Sequence, residues 1–494
     1  MKILLVYPRY PDTFWSFKHA LKFVSKKAAF PPLGLLTVAA MLPKDWDKIL
    51  VDMNVDSLTD KNIEWADYVF ISAMTVQKKS ATEVIERCKQ LGVKTVVGGP
   101  LFTTEFEEFS GIDHFVLGEA EVTLPPFLAD LEKGTTRHIY SSEEHPDISV
   151  TPAPLWELIN IKHYSSMSLQ YSRGCPFDCE FCDIIVLDGH TPRTKNKLQF
   201  ISELDSLYEK GWQGSLFIVD DNFIGNKKKL KAEILPALIE WQRDKKDPFA
   251  FITESSINLA DDEELMTLMV AAGFDVVFIG IETPNEDSLV ECAKAQNQNR
   301  DLVTSVKKLQ EFGLEVQGGF IVGFDSDPES IFQAQIDFIQ RSGIVTAMVG
   351  LLNVPAGTRL YQRLRAEGRL LTAFTGNNTD FSLNFIPKMN PERLIKGYRQ
   401  ILDTIYSPRE YYQRIKTFLQ VYQPPRTKPG KVHSYQVKAF FKSIWFLGIR
   451  GQGKKHYWRL FITYLPKSPP KFARFILLAV YGYHFRKVTG AQML

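Results

Sequence analysis

The chain has 494 residues, 45% of them hydrophobic and 23% charged, enough for about three domains that each bury a core, with the composition of a soluble globular protein. No stretch reaches the roughly 18 to 20 apolar residues of a membrane span. There are only five cysteines, and Cys88 and Cys292 stand alone in helical patterns, so a reducing cytosol suits the chain better than a disulfide-stapled secreted fold. The formal charge of +2 conceals an asymmetry: residues 411–494 hold sixteen Lys and Arg and no Asp or Glu, which leaves the rest of the chain acidic at −14.

"MKILLVYPRYPD" begins basic and apolar, but the run is short, breaks at Pro8 and lacks a small-residue cleavage site, so it reads as a first strand and not an export signal. From residue 1 to 145 strands and helices alternate: "KILLVYP", "KILVDMN", "ADYVFISAM", "KTVVGGP" and "DHFVLGEAE" are strand-like, with helical "LGLLTVAAMLP", "SATEVIERCKQLG" and "TLPPFLADLEKG" between and after them. This is the rhythm of an α/β doubly wound parallel sheet, whose ligand crevice lies beyond the carboxyl ends of its strands. Residues 146–164 are polar and proline-interrupted, a linker with a short helix. Between 165 and 374 come "SMSLQYS", "GSLFIVDDN", "FAFITESS", "VVFIGIE", "EVQGGFIVG" and "TAMVGLLNVPAG", six units that form a partial β/α barrel with polar strand ends facing one cavity. Residues 375–494 are a mainly helical, basic, aromatic-rich region.

Cys175, Cys179 and Cys182 stand at C-x3-C-x2-C spacing in "YSRGCPFDCEFCD", directly after the first strand of the second series. Thiolates so spaced can converge on a metal centre, with Gly174 and Pro176 easing the turn. Structural zinc wants four ligands, yet no second cysteine pair exists and His163 and His190 lack motif spacing. Three thiolates on a four-iron cluster leave one iron open to a small molecule.

With Phe181 before its last cysteine, this motif resembles that of the radical S-adenosylmethionine enzymes. The resemblance implies a [4Fe-4S] cluster on the three cysteines, S-adenosylmethionine chelated to the open iron, and its reductive cleavage to methionine and a 5'-deoxyadenosyl radical. Further landmarks follow in the family's order. "DDNF" stands where the methionine amino group is received, making Asp220, Asp221 and Asn222 candidates, against the alternative of a helix cap before "KKKLK". Glu254 and Glu282 end strands, where a carboxylate can accept from an ammonium or from ribose hydroxyls. "GGFIVGF", with Gly319, is similar to the strand on which adenine packs, and "NVPAGTRLY" to the turn after the sixth strand. Arg173 reads either as a counter-charge to the cluster or a bound carboxylate, or as a solvated arginine.

A parallel sheet ahead of such a barrel resembles the cobalamin-binding domain of one large subclass, which implies a corrinoid over the strand ends. The loops that match are "VYPRYP", "PPLGLL", "VDMNVD", "SAMTVQ", "GGP" and "GEAE", and Gly98, Gly99, Gly118 and Glu119 are candidates for its surroundings. Asp52, Met53 and Asn54 occupy the place of the D-x-H-x-x-G loop without its histidine, which implies no His ligand on cobalt and a lower face covered by Met74, Thr75 and Gln77; Met74 reads equally as a core residue. Another nucleotide, or an empty supporting domain, are the alternatives, but neither G-x-G-x-x-G nor a Walker motif is present.

The carboxyl-terminal layout is similar to a subgroup that includes hopanoid C-2 methylase, which implies transfer of a methyl group to an unactivated carbon, two equivalents of S-adenosylmethionine per turn, and a lipid or polycyclic acceptor. Cobalamin-dependent cyclisation, rearrangement or oxidation is the alternative within the class, and a non-catalytic iron-sulfur sensor the alternative outside it. "AFFKSIWFLGIR", "HYWRLFITYLP" and "FARFILLAVYGYHF" alternate cations with bulky apolar residues. They suit packing on the barrel or an anionic membrane surface better than nucleic acid, which would not explain so much Phe, Ile and Leu. A monomer at the cytoplasmic face of a membrane, reduced by a flavodoxin or ferredoxin, completes the expectation.

Overall fold

The computed structural model describes residues 1–372, 374–377, 379–424 and 434–492. Its first sheet holds β1 (Lys2–Tyr7), β2 (Asp47–Asp52), β3 (Tyr68–Ser72), β4 (Lys94–Gly98), β5 (His114–Val116) and β6 (Ile139–Tyr140), all parallel, in the order β2-β1-β3-β4-β5-β6. Ile3, Leu4, Leu5 and Val6 are all buried because each face has its own core: Leu4 and Val6 pack with Val69 and Ile71, Ile3 and Leu5 with Tyr68 and Phe70. That two-sided burial is why β1 reads as an unbroken apolar run.

The second sheet contains β7 (Met167–Leu169), β10 (Gly214–Ile218), β11 (Phe249–Glu254), β12 (Phe274–Glu282), β13 (Glu315–Val322) and β14 (Ala347–Leu351), parallel throughout and in sequence order, an open six-stranded barrel. A short antiparallel ribbon of β8 (Ser172–Arg173) and β9 (Arg193–Thr194) brackets the cysteine loop. Along β11 Phe249, Phe251 and Thr253 are buried against helices, whereas Ala250, Ile252 and Glu254 are partly exposed on the inner face, the two-residue alternation of a strand with a packed side and a cavity side.

The segment expected to be a linker with a short helix differs from that expectation. It forms three single 3-10 turns, Ile148–Val150, Trp156–Leu158 and Ile161–His163, since Pro146, Pro152 and Pro154 remove the donors a helix would need. Nor does it hang free: Ala28 pairs with Tyr164 in a parallel bridge, and the Tyr164 hydroxyl donates 3.0 Å to the buried Asp52 carboxylate.

The carboxyl-terminal helices, Pro391–Tyr406, Pro408–Val421, Ser434–Ser443, Lys454–Tyr464 and Pro469–Gln492, share one continuous core with the barrel. Arg414 is fully buried and donates to the Gln340 side chain at 2.7 Å and the Ile405 and Val345 carbonyls at 2.8 and 3.2 Å, while Arg474 bonds Asp275 and Glu315 at 2.7 and 3.0 Å. The chain after β1 joins all three parts: Phe14 stacks on Phe485 at 4.1 Å, and the Trp15 indole reaches the Met348 sulfur at 3.0 Å. Among the described residues no helix is long and apolar enough to cross a membrane. Arg426, Lys428 and Lys431, part of the basic count, lie outside the described residues.

Candidate functional site

The cysteine loop leaves the end of β7 and is fixed from beneath. Asp220, at the end of β10 and wholly buried, accepts from the Tyr171 amide at 2.7 Å, the Ser172 amide at 2.8 Å and the Ser172 hydroxyl at 2.6 Å. Burial raises its pKa to about 6 against these bonds. Its carboxylate thereby acquires a task other than the expected one of receiving a ligand amine: it spends its lone pairs on the backbone that leads into Cys175. Asn222 accepts from the Ser256 amide at 3.2 Å and points its own amide at the Cys175 sulfur, 4.0 Å away.

The three cysteines of this loop are not paired with one another, Cys179 being buried and Cys175 and Cys182 partly so. Burial raises the pKa of Cys175 and Cys182, a cost that thiolate coordination to iron would remove. Among the described residues no three His, Cys, Asp or Glu converge closely enough for a single metal ion. A cubane takes each thiolate on a different iron, so three cysteines on one loop suit a cluster better than the four-ligand shell of structural zinc. The amides of Asn222 and, at 3.8 Å from Cys179, of Gln296 are weak donors to those sulfurs.

Two carboxylates at this mouth remain uncommitted. The Asp221 Oδ2 is buried without any hydrogen-bond partner, and burial, with Asp188, Glu254 and Asp220 nearby, holds its pKa well above the ordinary value. Glu254 makes no hydrogen bond to a described residue, and burial and then Asp220 raise its pKa to about 7. A buried carboxylate oxygen without a partner, beside a second carboxylate that makes no bond to a described residue, marks a site that expects a ligand cation or hydroxyl.

Glu282 is arranged differently from the expectation. It adopts a positive φ of 62°, unusual outside glycine, at a register shift between β12 and β13, and its carboxylate binds the Lys294 ammonium at 2.7 Å. The cation it receives belongs to the chain. Burial works against the Lys294 charge, but Glu282 and the Cys179 and Cys182 sulfurs outweigh it and raise its pKa. Lys294 also lies over the Phe181 ring at 5.9 Å. "ECAKAQN" carries no motif, and sequence reasoning passed over both Lys294 and Gln296. Gly319, expected to make room for adenine, faces the Phe278 ring, whose Cζ would lie 2.9 Å from an added Cβ.

On the first sheet the strand-end loops gather at one edge, largely held by themselves. Asp52 accepts from the Asn54 backbone and side chain at 2.9 and 2.8 Å, with no histidine in that loop. Gln77 is buried and turned inward, donating to the Pro8 carbonyl at 2.5 Å and accepting from the Met74 amide at 2.9 Å; it supports the loop from inside instead of covering a ligand face. Met74 is 47% exposed, which removes the core reading, and the Tyr10 hydroxyl reaches its sulfur at 3.4 Å. Gly376 packs so tightly on the Thr75–Val76 backbone that a Cβ there would come within 2.4 Å, so a carboxyl-terminal loop also closes on this edge. Gly98 and Gly99 are small for the protein's sake: an added Cβ would meet the Val116 carbonyl at 2.7 Å or the Ser72 hydroxyl at 2.5 Å. The Gly118 amide donates to Thr103 at 3.0 Å.

Glu119 likewise holds the domains together. It accepts from Arg173 at 2.6 Å, Arg193 at 2.7 Å and His145 at 3.0 Å, and Arg173 extends to Glu121 at 2.9 Å. Burial resists the charges on both glutamates, yet the guanidinium bonds outweigh it and hold both carboxyls below their usual range. Arg173, two residues before Cys175, is therefore neither solvated nor free for a ligand carboxylate.

The inner barrel wall is mainly apolar, with Ser168 and Gln317 in register beside Phe217 and Phe278 and Glu254 at its rim. Phe217, Ile252, Phe278 and Met348 are partly exposed there, Trp15 meets Phe278 edge-on at 5.4 Å, and Phe30 meets Phe217 at 5.3 Å.

Comparison with known families matches residues 24–128 to the B12 binding domain, 169–339 to the Radical SAM superfamily and 358–492 to a domain of unknown function, DUF4070. An uncharacterized methyltransferase of Synechocystis sp. is 42% identical over 98% of this chain and 91% of its own. Hopanoid C-2 methylase of Rhodopseudomonas palustris is 31% identical over 98% of this chain and 92% of its own. Among solved structures, the cobalamin-dependent S-adenosylmethionine radical enzyme OxsB with aqua-cobalamin bound superposes with a TM-score of 0.64 at 15% identity, over 100% of this chain and 80% of that one.

Proposed function

Because the chain belongs to the cobalamin-binding radical S-adenosylmethionine methyltransferases that end in DUF4070, we propose that it methylates an unactivated carbon of a lipid or polycyclic small molecule. Its cofactors are a [4Fe-4S] cluster, S-adenosylmethionine and cobalamin; when bound, they supply an organic radical and a transferable methyl group.

The observation that carries the substrate class is the barrel lining. Trp15, Phe217, Ile252, Phe278 and Met348 on the inner barrel face offer an acceptor apolar contact and would keep water from a reactive radical. In this reading Cys175, Cys179 and Cys182 hold the cluster, Asp221 and Glu254 receive the ammonium or ribose of S-adenosylmethionine, and Asp220 and Asn222 fix the loop. Met74 and Thr75, on the edge that Gly376 closes, face the corrinoid. Electrons come from a small redox protein such as flavodoxin or ferredoxin, and a lipid acceptor brings the monomer to the cytoplasmic face of a membrane.

The test is anaerobic reconstitution with iron, sulfide and cobalamin, followed by mass spectrometry with and without a lipid extract. Lipid products heavier by one methylene unit, labelled from S-adenosylmethionine and accompanied by both S-adenosylhomocysteine and 5'-deoxyadenosine, are expected. Deoxyadenosine alone, without a mass gain, would replace methylation by cyclisation or rearrangement.

A further inference from the structure

Helix Ser434–Ser443 continues into a π-helical stretch, Ile444–Ile449, and the two faces of this element differ. Ser443 and Leu447 are buried, with the Ser443 hydroxyl 3.1 Å from that of Tyr457. On the outside Val437, Phe441, Trp445 and Ile449 recur every fourth residue and are 45%, 64%, 46% and 51% exposed. Spacing of four places them along a single stripe, and four large apolar side chains in a row are more than the scattered exposure of an ordinary surface.

The surroundings of the stripe say what covers it. Arg450 lies over the Trp445 ring at 4.7 Å. Lys438 is exposed on the same element, and the Lys442 ammonium caps the Lys22 carbonyl at 2.7 Å, which brings helix Lys18–Val24 and its exposed Lys18 and Lys22 alongside. Beyond lie exposed Lys454, Lys455 and Arg459. Alongside helix Lys18–Val24, Asp12 is paired with Lys18 at 2.7 Å and Asp56 with Lys27 at 3.1 Å; residues 411–494 contribute no acid. A second copy meeting this stripe with its own would set cation against cation, since the element carries no acid, and a protein partner would need a matching acidic rim. A bilayer surface with anionic headgroups meets both demands at once, taking the aromatic stripe into the interface while the lysines and arginines reach the phosphates.

We infer that the stripe Val437–Phe441–Trp445–Ile449, with its cationic border, is a peripheral docking surface for an anionic lipid bilayer. It deepens the lipid reading above, which supplies the reason for docking, but binding is measured without turnover, so either can fail without the other.

The experiment is co-sedimentation of the full-length protein with large vesicles of phosphatidylcholine alone or with phosphatidylglycerol added. The wild type should bind the anionic vesicles, and binding should weaken steeply as salt shortens the screening length. Phe441→Ser with Trp445→Ser should weaken it by about tenfold or more, equivalent to about 1.4 kcal/mol, with an unchanged melting curve because both side chains are exposed. Lys438→Gln with Arg450→Gln should weaken it on anionic vesicles only. Absence of wild-type binding at low salt would overturn the inference, as would binding indifferent to both double variants. So would a concentration-dependent dimer that the Phe441→Ser, Trp445→Ser variant dissolves, since the stripe would then be an interface between copies.

Discussion

Replacing Arg173 by leucine should loosen the seam between the two sheets in a calculable and pH-dependent way. The Arg173 side chain is 14% exposed and its partners Glu119 and Glu121 are 7% and 4% exposed, so the substitution leaves buried carboxylates behind. Glu119 keeps Arg193 and His145, but Glu121 is left without a cation, keeping the Thr151 hydroxyl at 2.6 Å and its own backbone amide. Removing one partner of a buried pair costs about 3–5 kcal/mol; at about 1.4 kcal/mol per factor of ten, local protection should fall by roughly two to four orders of magnitude. Hydrogen exchange followed by mass spectrometry reads it, in peptides covering residues 118–122 and 171–175. In the wild type both glutamates have pKa values lowered from 4.5, so their contribution is full above that value and is lost as pH falls through the lowered one. In the variant Glu121 is left with burial as its main influence and its pKa rises above the usual range. The gap between wild type and variant should therefore be widest near about pH 8 and narrow toward about pH 5, as Glu121 takes up a proton. A gap below about 1 kcal/mol, the size of an exposed pair, or one that ignores pH, would refute the clamp.

Cys175→Ala, Cys179→Ala and Cys182→Ala should each abolish the visible iron-sulfur absorbance and reductive S-adenosylmethionine cleavage while cobalamin still binds to the first domain; a full cluster in any one variant would remove that cysteine from the ligand set. Asp220→Asn and Glu254→Gln should behave oppositely. The former presents an NH2 to three donors and lowers the melting temperature, losing charge-assisted bonds of about 1.5–3 kcal/mol. The latter leaves melting intact and weakens S-adenosylmethionine binding by calorimetry, and a reversed pattern would exchange their roles. Lys294→Met should destabilise by about 3–5 kcal/mol because Glu282 is left charged and buried, and adding Glu282→Gln should restore most of that in a denaturation series; no rescue would mean that the pair does not act as one unit.

How much of this was legible follows from what a sequence pattern encodes. The two sheets could be read because a strand buried on both faces is an apolar run and one lining a cavity alternates, as β1 and β11 do. The cluster ligands could be read because three thiols at fixed spacing on one loop are a local property. Carboxylates at strand ends could be located but not assigned. Asp220, Asp221, Glu254 and Glu282 all reach the same mouth, yet the first is consumed by Tyr171 and Ser172 and the last by Lys294, partners 48 or 49 residues away in one case and on an unmarked turn in the other. Glu119 shows the same limit more sharply. Its place after β5 is plain from the pattern, but the direction of its carboxylate is decided by Arg173 and Arg193 arriving from another domain. In the tail, aromatic residues occupy both sides of the element 434–449, so periodicity alone does not separate the buried Leu447 from the exposed Trp445. Charge balance and facing are properties of the assembled fold, and they separate a carboxylate that waits for a ligand from one that holds the walls of the site together.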